Sequence, residues 1–400
     1  MSDRAADIDR LAELAVRFGA NVQPGQILVV GGEIGQEPLV RAIARAGYKA
    51  GAKFVDVAYF DMWVKRERLL HAAEDTLDFV PSWMGERLLA MGEQRCARVG
   101  LSGATHPNAL DGVDPQRAGR DQLPFLRESA KVVNDRTTNW TAIGGPSPGW
   151  AQLVHPDVEP AAAEDRLWEQ ILHVLRLDED DPIAAWQARS ETLVGAAQRL
   201  TERRFDALHF EGPGTDLTVG LLPSSSWMAA RFETADGLVH MPNLPSEEVF
   251  TTPDPERVDG HVRSTKPLEL HGSIIRDLEV RFEGGRAVAF AGENADALGG
   301  LSQRDEGSCR LGEVALVDGE GRIGALDTVF YDTLLDENAA SHIALGSAYQ
   351  FTVDDEADKA RANVSGIHVD FMIGSPEVKV TGVTADGDRV PVLVEGRWQI

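Results

Sequence analysis

The chain has 400 residues, enough for two or three domains with substantial cores. Hydrophobic residues make up 43% and charged residues 26%, which excludes disordered and fibrous classes. Acidic residues outnumber basic ones 64 to 39, and the resulting net charge of −25 opposes phosphate backbones and anionic membrane surfaces, so neither nucleic acid nor a membrane is an expected partner.

Residues 1–18 alternate charged and apolar positions at helical spacing and lack the continuous apolar core of a signal peptide or membrane span. The only cysteines, Cys96 and Cys309, lie far apart outside any Cys-x-x-Cys pattern, so a disulfide framework is not expected and a reducing cytoplasm fits. The apolar run Gln26–Val30, a helical pattern over Pro38–Ala50 and a second run Phe54–Tyr59 form a strand–helix–strand unit. Between them, Gly31-Gly32 lacks the Gly-x-Gly-x-x-Gly spacing of a dinucleotide loop and is expected to serve a tight turn. A helix over Pro81–Met91, a strand-like run Cys96–Leu101 and a helix over Pro115–Val132 continue the pattern, which predicts an α/β N-terminal domain with a largely parallel sheet. Trp140 and Trp150 suit a pocket wall or a core equally.

Helical spacing over Ala163–Leu177 stops at the acidic, proline-containing segment 178–182, and a second long helix over Ile183–Phe205 follows. Beyond Phe205 the texture changes to short alternating runs separated by glycine-containing turns, including a hairpin around Gly284-Gly285. The expectation is an α/β domain over 1–205 and a mostly β domain over 206–400.

That second half places ionisable groups inside otherwise apolar strand-like segments, where a bare carboxylate is costly to bury. Glu313 interrupts Leu311–Val317, and His368 and Asp370 interrupt Ile367–Ile373. Residues two apart on a strand share a face, so His368 and Asp370 can address one metal together. Glu337 and His342 lie where a loop running into a strand can turn both inward, Tyr349 follows, and Glu247 and Glu248 stand side by side. With one of that pair facing inward, four carboxylates and two imidazoles balance two divalent cations. Oxygen-rich ligation with imidazole suits zinc, cobalt, manganese or magnesium.

The segments NLPSEEVFTTPDPERVDG (243–260), CRLGEVALVD (309–318), DENAASHIALGSAY (336–349) and GIHVDFMIGS (366–375) resemble the metal-site segments of the thermophilic-type metallo-aminopeptidases, the aminopeptidase T and aminopeptidase S family. The N-terminal LAELAVRFGANVQPGQILVV and the 137–157 segment are similar to that family too, so the resemblance covers nearly the whole chain. It implies a dinuclear site with Glu247, Glu313, Glu337, His342, His368 and Asp370 as ligands, spacing to Glu313 favouring Glu247 over Glu248. It also implies a homodimer that removes N-terminal residues from peptides using cobalt, zinc or magnesium.

Two cations about 3.5–4 Å apart can share and deprotonate a water while one polarises the scissile carbonyl. Glu313 is the expected bridging carboxylate, Glu248 or Glu337 the general base, and Tyr349 a donor to the oxyanion. Two rivals stand beside this reading. Another two-metal amidohydrolase or phosphoesterase is opposed by the lack of an Arg/Lys-rich loop near the ligands. A non-catalytic calcium- or magnesium-binding protein would not need two histidines.

Overall fold

The structure is a computed structural model that describes residues 4–121, 123–124, 126–270 and 273–400. The chain forms two compact units, Met1–Arg189 with Arg231–Ser246, and Ser190–Ala230 with Glu247–Ile400.

The first unit contains strands β1 (Ile27–Glu33), β2 (Phe54–Phe60), β3 (Ala97–Ser102) and β4 (Asn139–Gly144). With Asn243–Leu244 they form a parallel sheet in the order Asn243–Leu244, β4, β3, β1, β2. β1 begins as an unbroken Ile-Leu-Val-Val run with Leu28 and Val30 fully buried on one face and Val29 buried on the other, the signature of a parallel strand covered on both faces. The helix Glu37–Lys49 starts with a proline in its first turn and buries Leu39, Val40, Ile43 and Ala46, spaced to make one stripe.

Two local expectations change. Gly31 and Gly32 lie inside β1 rather than in a turn, and a Cβ on Gly32 would stand 3.2 Å from Gln36 Oε1 and 3.3 Å from Val40 Cγ2, so the glycine serves close strand–helix approach. The single helix expected over Pro115–Val132 is two, Pro115–Arg120 and Arg127–Asn134. Pro124 lies between them and lacks the N–H that a continuous helix needs, while positions 122 and 125 fall outside the described residues.

Two amide side chains buried beside this sheet find their partners within the protein. Gln36, 3% exposed, donates through Nε2 to the carbonyls of Ser102 (3.0 Å) and Gly145 (3.2 Å) and accepts from Glu33 N–H (2.8 Å). Asn139 donates to Ala20 O and accepts from Gln26 Nε2 at 2.9 Å. Trp150 is fully buried against Gly103, where a Cβ would lie 2.4 Å from its ring, so it is a core residue; Trp140 is half-buried and meets Phe232 edge-on at 6.3 Å.

The second unit is mostly antiparallel β. A nine-stranded sheet includes Ala207–Gly212, Thr215–Leu221, Pro253–Arg263 and the hairpin Ser273–Glu283/Arg286–Glu293. That hairpin turns at Gly284 and Gly285, both with positive φ (55° and 80°), as a two-residue turn matching the strand twist requires. A second, five-stranded sheet contains β5 (Glu248–Thr251), β6 (Leu311–Val317), β7 (His342–Gly346) and β8 (His368–Met372), in the order β8, β7, β6, β5, Met228–Ala229. A parallel-sheet region followed by a mainly antiparallel one is the fold class that the alternating patterns indicate.

Candidate metal centre

Strand register decides which side chains meet on the five-stranded antiparallel sheet. The pairings Glu248↔Val317, Phe250↔Ala315, Ala315↔His342, Glu313↔Ala344, Ala344↔Asp370 and Gly346↔His368 put Glu248, Glu313, His342, His368 and Asp370 on one face. The other face carries Val249, Val314, Leu316, Ile343, Leu345 and Phe371, all fully buried. Each of these contributes about 1.5–3 kcal/mol by burial, so the apolar face secures the sheet and leaves the opposite face able to hold groups that oppose folding.

A bulge sets the phase of Glu313. Leu311 pairs with Leu345 on the apolar face, and in a regular strand Glu313 would follow it there. The register shifts between Leu311 and Glu313, which turns the carboxylate to the polar face. Gly312 occupies the shift, where a Cβ would stand 2.3 Å from Gly346 O and 2.5 Å from Ser347 O. Glu337 joins from outside the sheet, on the short 3-10 turn Glu337–Ala339 ahead of β7.

These six residues interlock as three trios: Glu248, Glu313 and His342; Glu313, His368 and Asp370; Glu337, His342 and Asp370, the ligand atoms of each lying within 4.8 Å of one another. Glu313, His342 and Asp370 each belong to two trios. His342 Nδ1 lies 3.1 Å from Ala340 O and His368 Nδ1 lies 2.8 Å from Ser347 O. Carbonyls only accept, so each Nδ1 bears a hydrogen and each Nε2 is turned to the carboxylates. His342 Nε2 stands 3.0 Å from Glu248 Oε2, and His368 Nε2 stands 3.1 Å from Glu313 Oε2 and 3.3 Å from Asp370 Oδ1.

The electrostatics follow from this crowding. Burial pushes Glu313 up to about 7, with Asp370 and Glu248 adding to the effect against His368, and burial with Asp370 and Glu248 pushes Glu337 well above the ordinary carboxylate range. Burial opposes charge on the imidazoles too, but the Glu248 carboxylate outweighs it and lifts His342 to about 10, while Asp370 and Glu313 lift His368 well above its usual value. Burial is likewise outweighed at Asp370, where His368 holds the carboxyl low. The cluster gathers positive charge, as protons in this state, to offset its carboxylates.

Five of the six expected ligands, Glu313, Glu337, His342, His368 and Asp370, meet here, and Glu248 rather than its neighbour Glu247 completes the set. Adjacent strand residues face opposite ways: Glu247 is fully buried with its carboxyl group beside Gly321, where a Cβ would be 3.6 Å from the carboxyl carbon. Tyr349 packs on the cluster, its ring 5.3 Å from that of His368 and 5.5 Å from that of Phe250. Burial, with Glu313 and Asp370 adding, raises its hydroxyl well above the usual range, which keeps the proton on. Sequence reading misses Gly312, whose role needs the strand pairing, and the carbonyls of Ala340 and Ser347, which carry no residue-type signal.

The donor set fits divalent cations. Among the described residues, Glu248 Oε2 and Asp370 Oδ1 are buried and accept no hydrogen bond, although each has an imidazole Nε2 at ion-pair distance. Once its Nε2 proton is removed, an imidazole with its hydrogen on Nδ1 turns a lone pair to such an oxygen, an arrangement that a cation in the proton's place would relieve. Imidazole and carboxylate, with no thiolate, is a donor set for borderline to hard divalent ions. A buried set of this kind on a β scaffold is suited to a divalent-metal centre.

The chain belongs to the thermophilic metalloprotease family, M29, whose model matches residues 4–398. It is 43% identical over 403 residues to aminopeptidase T of Thermus aquaticus, covering 98% of each chain, and 36% identical to aminopeptidase AmpS of Bacillus subtilis strain 168, covering 100% of each. Its structure is similar to that of wild-type AmpT from Thermus thermophilus, with a TM-score of 0.89, 41% identity and 99% of each chain covered. Among the described residues no helix is long and apolar enough to cross a membrane.

Proposed function

We propose that the cluster holds two divalent cations and that the chain releases the N-terminal residue of peptides at this centre. That the chain is a metallo-aminopeptidase, a hydrolase of peptide bonds, follows from its family and from relatives aligned over its whole length. The observation that supports a dinuclear site is the interlocking of three trios, in which Glu313 and Asp370 are each common to two. Both are carboxylates with two oxygens and can bridge. His342 is also common to two trios, but its Nδ1 is committed to Ala340 O and it offers a single Nε2.

In this reading Glu248, Glu313, Glu337, His342, His368 and Asp370 are the ligands, Glu248 in place of Glu247. Zinc, cobalt, manganese and magnesium are the suited ions, and when bound they supply Lewis acidity and a water of lowered pKa. The chain's own residues do the rest. Tyr349, protonated across the neutral range, donates its hydroxyl hydrogen to the oxygen of the tetrahedral intermediate. A carboxylate of the cluster, Glu337 or Glu248, takes the proton of the attacking water and passes it to the departing amine. A free α-amino group anchored among these carboxylates fixes the cut at the first bond. A cytoplasmic homodimer, with the unit Ser190–Ala230 and Glu247–Ile400 as the catalytic one, completes the proposal.

The test is to strip the protein with chelator and titrate cobalt, zinc and magnesium while following amino-acid release from leucyl peptides with free or acetylated N-termini. Activity returning near two metals per chain, and only on the free amine, is the expected result. Recovery at one metal per chain overturns the dinuclear reading, and cleavage of acetylated peptides overturns the amine anchor.

A further inference from the structure

Glu247 and Glu248 are adjacent and both buried, so residue type at the start of β5 does not say which of the two meets the cluster; a one-residue slip would bring Glu247 there and move Glu248 to the place of Val249 on the apolar face. Asn338 is placed to choose. Its side chain is fully buried, and its Oδ1 accepts a 2.6 Å hydrogen bond from the backbone N–H of Glu247. Its Nδ2 donates to Leu334 O at 2.9 Å and lies 3.5 Å from Glu337 Oε1, a looser contact.

One amide thus joins the backbone just before Glu248 to the turn that presents Glu337, two segments 91 residues apart in the chain. Glu248 and Glu337 sit in different trios that share His342, so the same tie sets how the two carboxylates flank that imidazole. The role needs an acceptor and a donor on one short side chain. Leucine has the shape and neither function; aspartate keeps the acceptor, loses the donor and adds a charge beside Glu337.

We infer that Asn338 is a positioning residue that fixes the register of β5, selecting Glu248 over Glu247, and fixes the placement of Glu337 opposite it. The inference rests on the metal-site reading above. Changes to groups that orient ligands typically weaken metal affinity by about 10–100-fold, and that is the loss expected here.

The test measures zinc affinity of the chelator-stripped full chain by competition with a chromophoric chelator, and records the visible absorption of the cobalt-loaded protein. Asn338→Leu is the principal variant, and Asn338→Ser, smaller and still polar, is measured beside it. Gln36→Leu removes an equally buried amide far from the cluster in sequence and serves as the stability control. The expected result is zinc affinity weakened about 10–100-fold and an altered cobalt spectrum in the Asn338 variants, with both unchanged in Gln36→Leu even as its thermal midpoint falls. Wild-type affinity and spectrum in a folded Asn338 variant, with only the thermal midpoint lowered, overturn the positioning role. A wild-type chain that takes up no metal overturns the metal-site reading instead.

Discussion

The two five-stranded sheets treat buried polar groups in opposite ways. In the parallel sheet Gln36 and Asn139 are buried and their hydrogen bonds close within the protein, to Ser102, Gly145, Glu33, Ala20 and Gln26. On the antiparallel sheet the buried groups are ionisable, lie together on one face, and leave carboxylate oxygens of Glu248 and Asp370 without hydrogen bonds. Burial of polarity is common to both. What sets the second sheet apart is that its polar atoms are complementary to a positive charge rather than to each other.

The contrast can be broken most sharply at the cluster. His342→Ala or Asp370→Ala removes a group shared by two trios and is expected to lower peptide hydrolysis by more than about 100-fold, beyond the usual cost of an orienting group, with metal content falling below that of the wild type. In the same assay Glu248→Gln is expected to lose metal affinity while Glu247→Gln keeps it. Normal hydrolysis and metal content in His342→Ala or Asp370→Ala, measured by elemental analysis, would erase the distinction between the sheets. Tyr349→Phe comes next: turnover on the order of 100-fold lower with metal still bound, the cost typical of one lost oxyanion donor. Unchanged turnover would make Tyr349 a packing residue.

Smaller effects appear in stability. Burial raises the folded-state values of Glu313 and of Asp336, the residue before Glu337, to about 7, so the stability they confer is present below their unfolded values and lost as pH rises through about 7; His342, raised to about 10, loses its contribution as pH rises through that value. Burial holds His240 down to about 4 and so works the other way below about pH 6.5; the metal-free protein is therefore expected to show a falling thermal midpoint from about pH 6.5 to 10, and saturating zinc to flatten the part due to Glu313 and His342. A metal-free midpoint that rises over this interval would contradict the electrostatics of the cluster. On the other sheet, Gln36→Leu removes the acceptor of Glu33 N–H and the donor to Gly145 O, while Ser102 O keeps its bond from Gly145 N–H, and is expected to cost about 1–3 kcal/mol in chemical unfolding, with peptide hydrolysis intact.

Much of this was legible in the sequence where a residue's type conflicts with its surroundings. The runs that become β1, β2, β3 and β6 are apolar and short, and Glu313, His368 and Asp370 stand out because they interrupt such runs. What stayed hidden depends on partners distant in the chain. Which of Glu247 and Glu248 turns inward follows from pairing with β6, and that Glu313 shares the face of Glu248 follows from the bulge at Gly312. Gly31-Gly32 looks like a turn until the helix that presses against it is known, and Asn243–Leu244 adds to the parallel sheet through a two-residue pairing with β4 that no pattern so short announces.

The placement of Glu313 has a consequence before the fold exists. β6 is a seven-residue segment of Leu, Gly, Val and Ala around one glutamate, entirely buried in the finished sheet. Without that charge it would be the kind of extended apolar stretch that pairs with copies of itself on neighbouring chains. In the unfolded chain Glu313 is solvated and ionised at neutral pH, and it keeps the segment from stacking during synthesis; Asp370 does the same for β8. The charge that burial penalises at Glu313 is thus also the one that makes an exposed β6 less prone to pair with copies of itself.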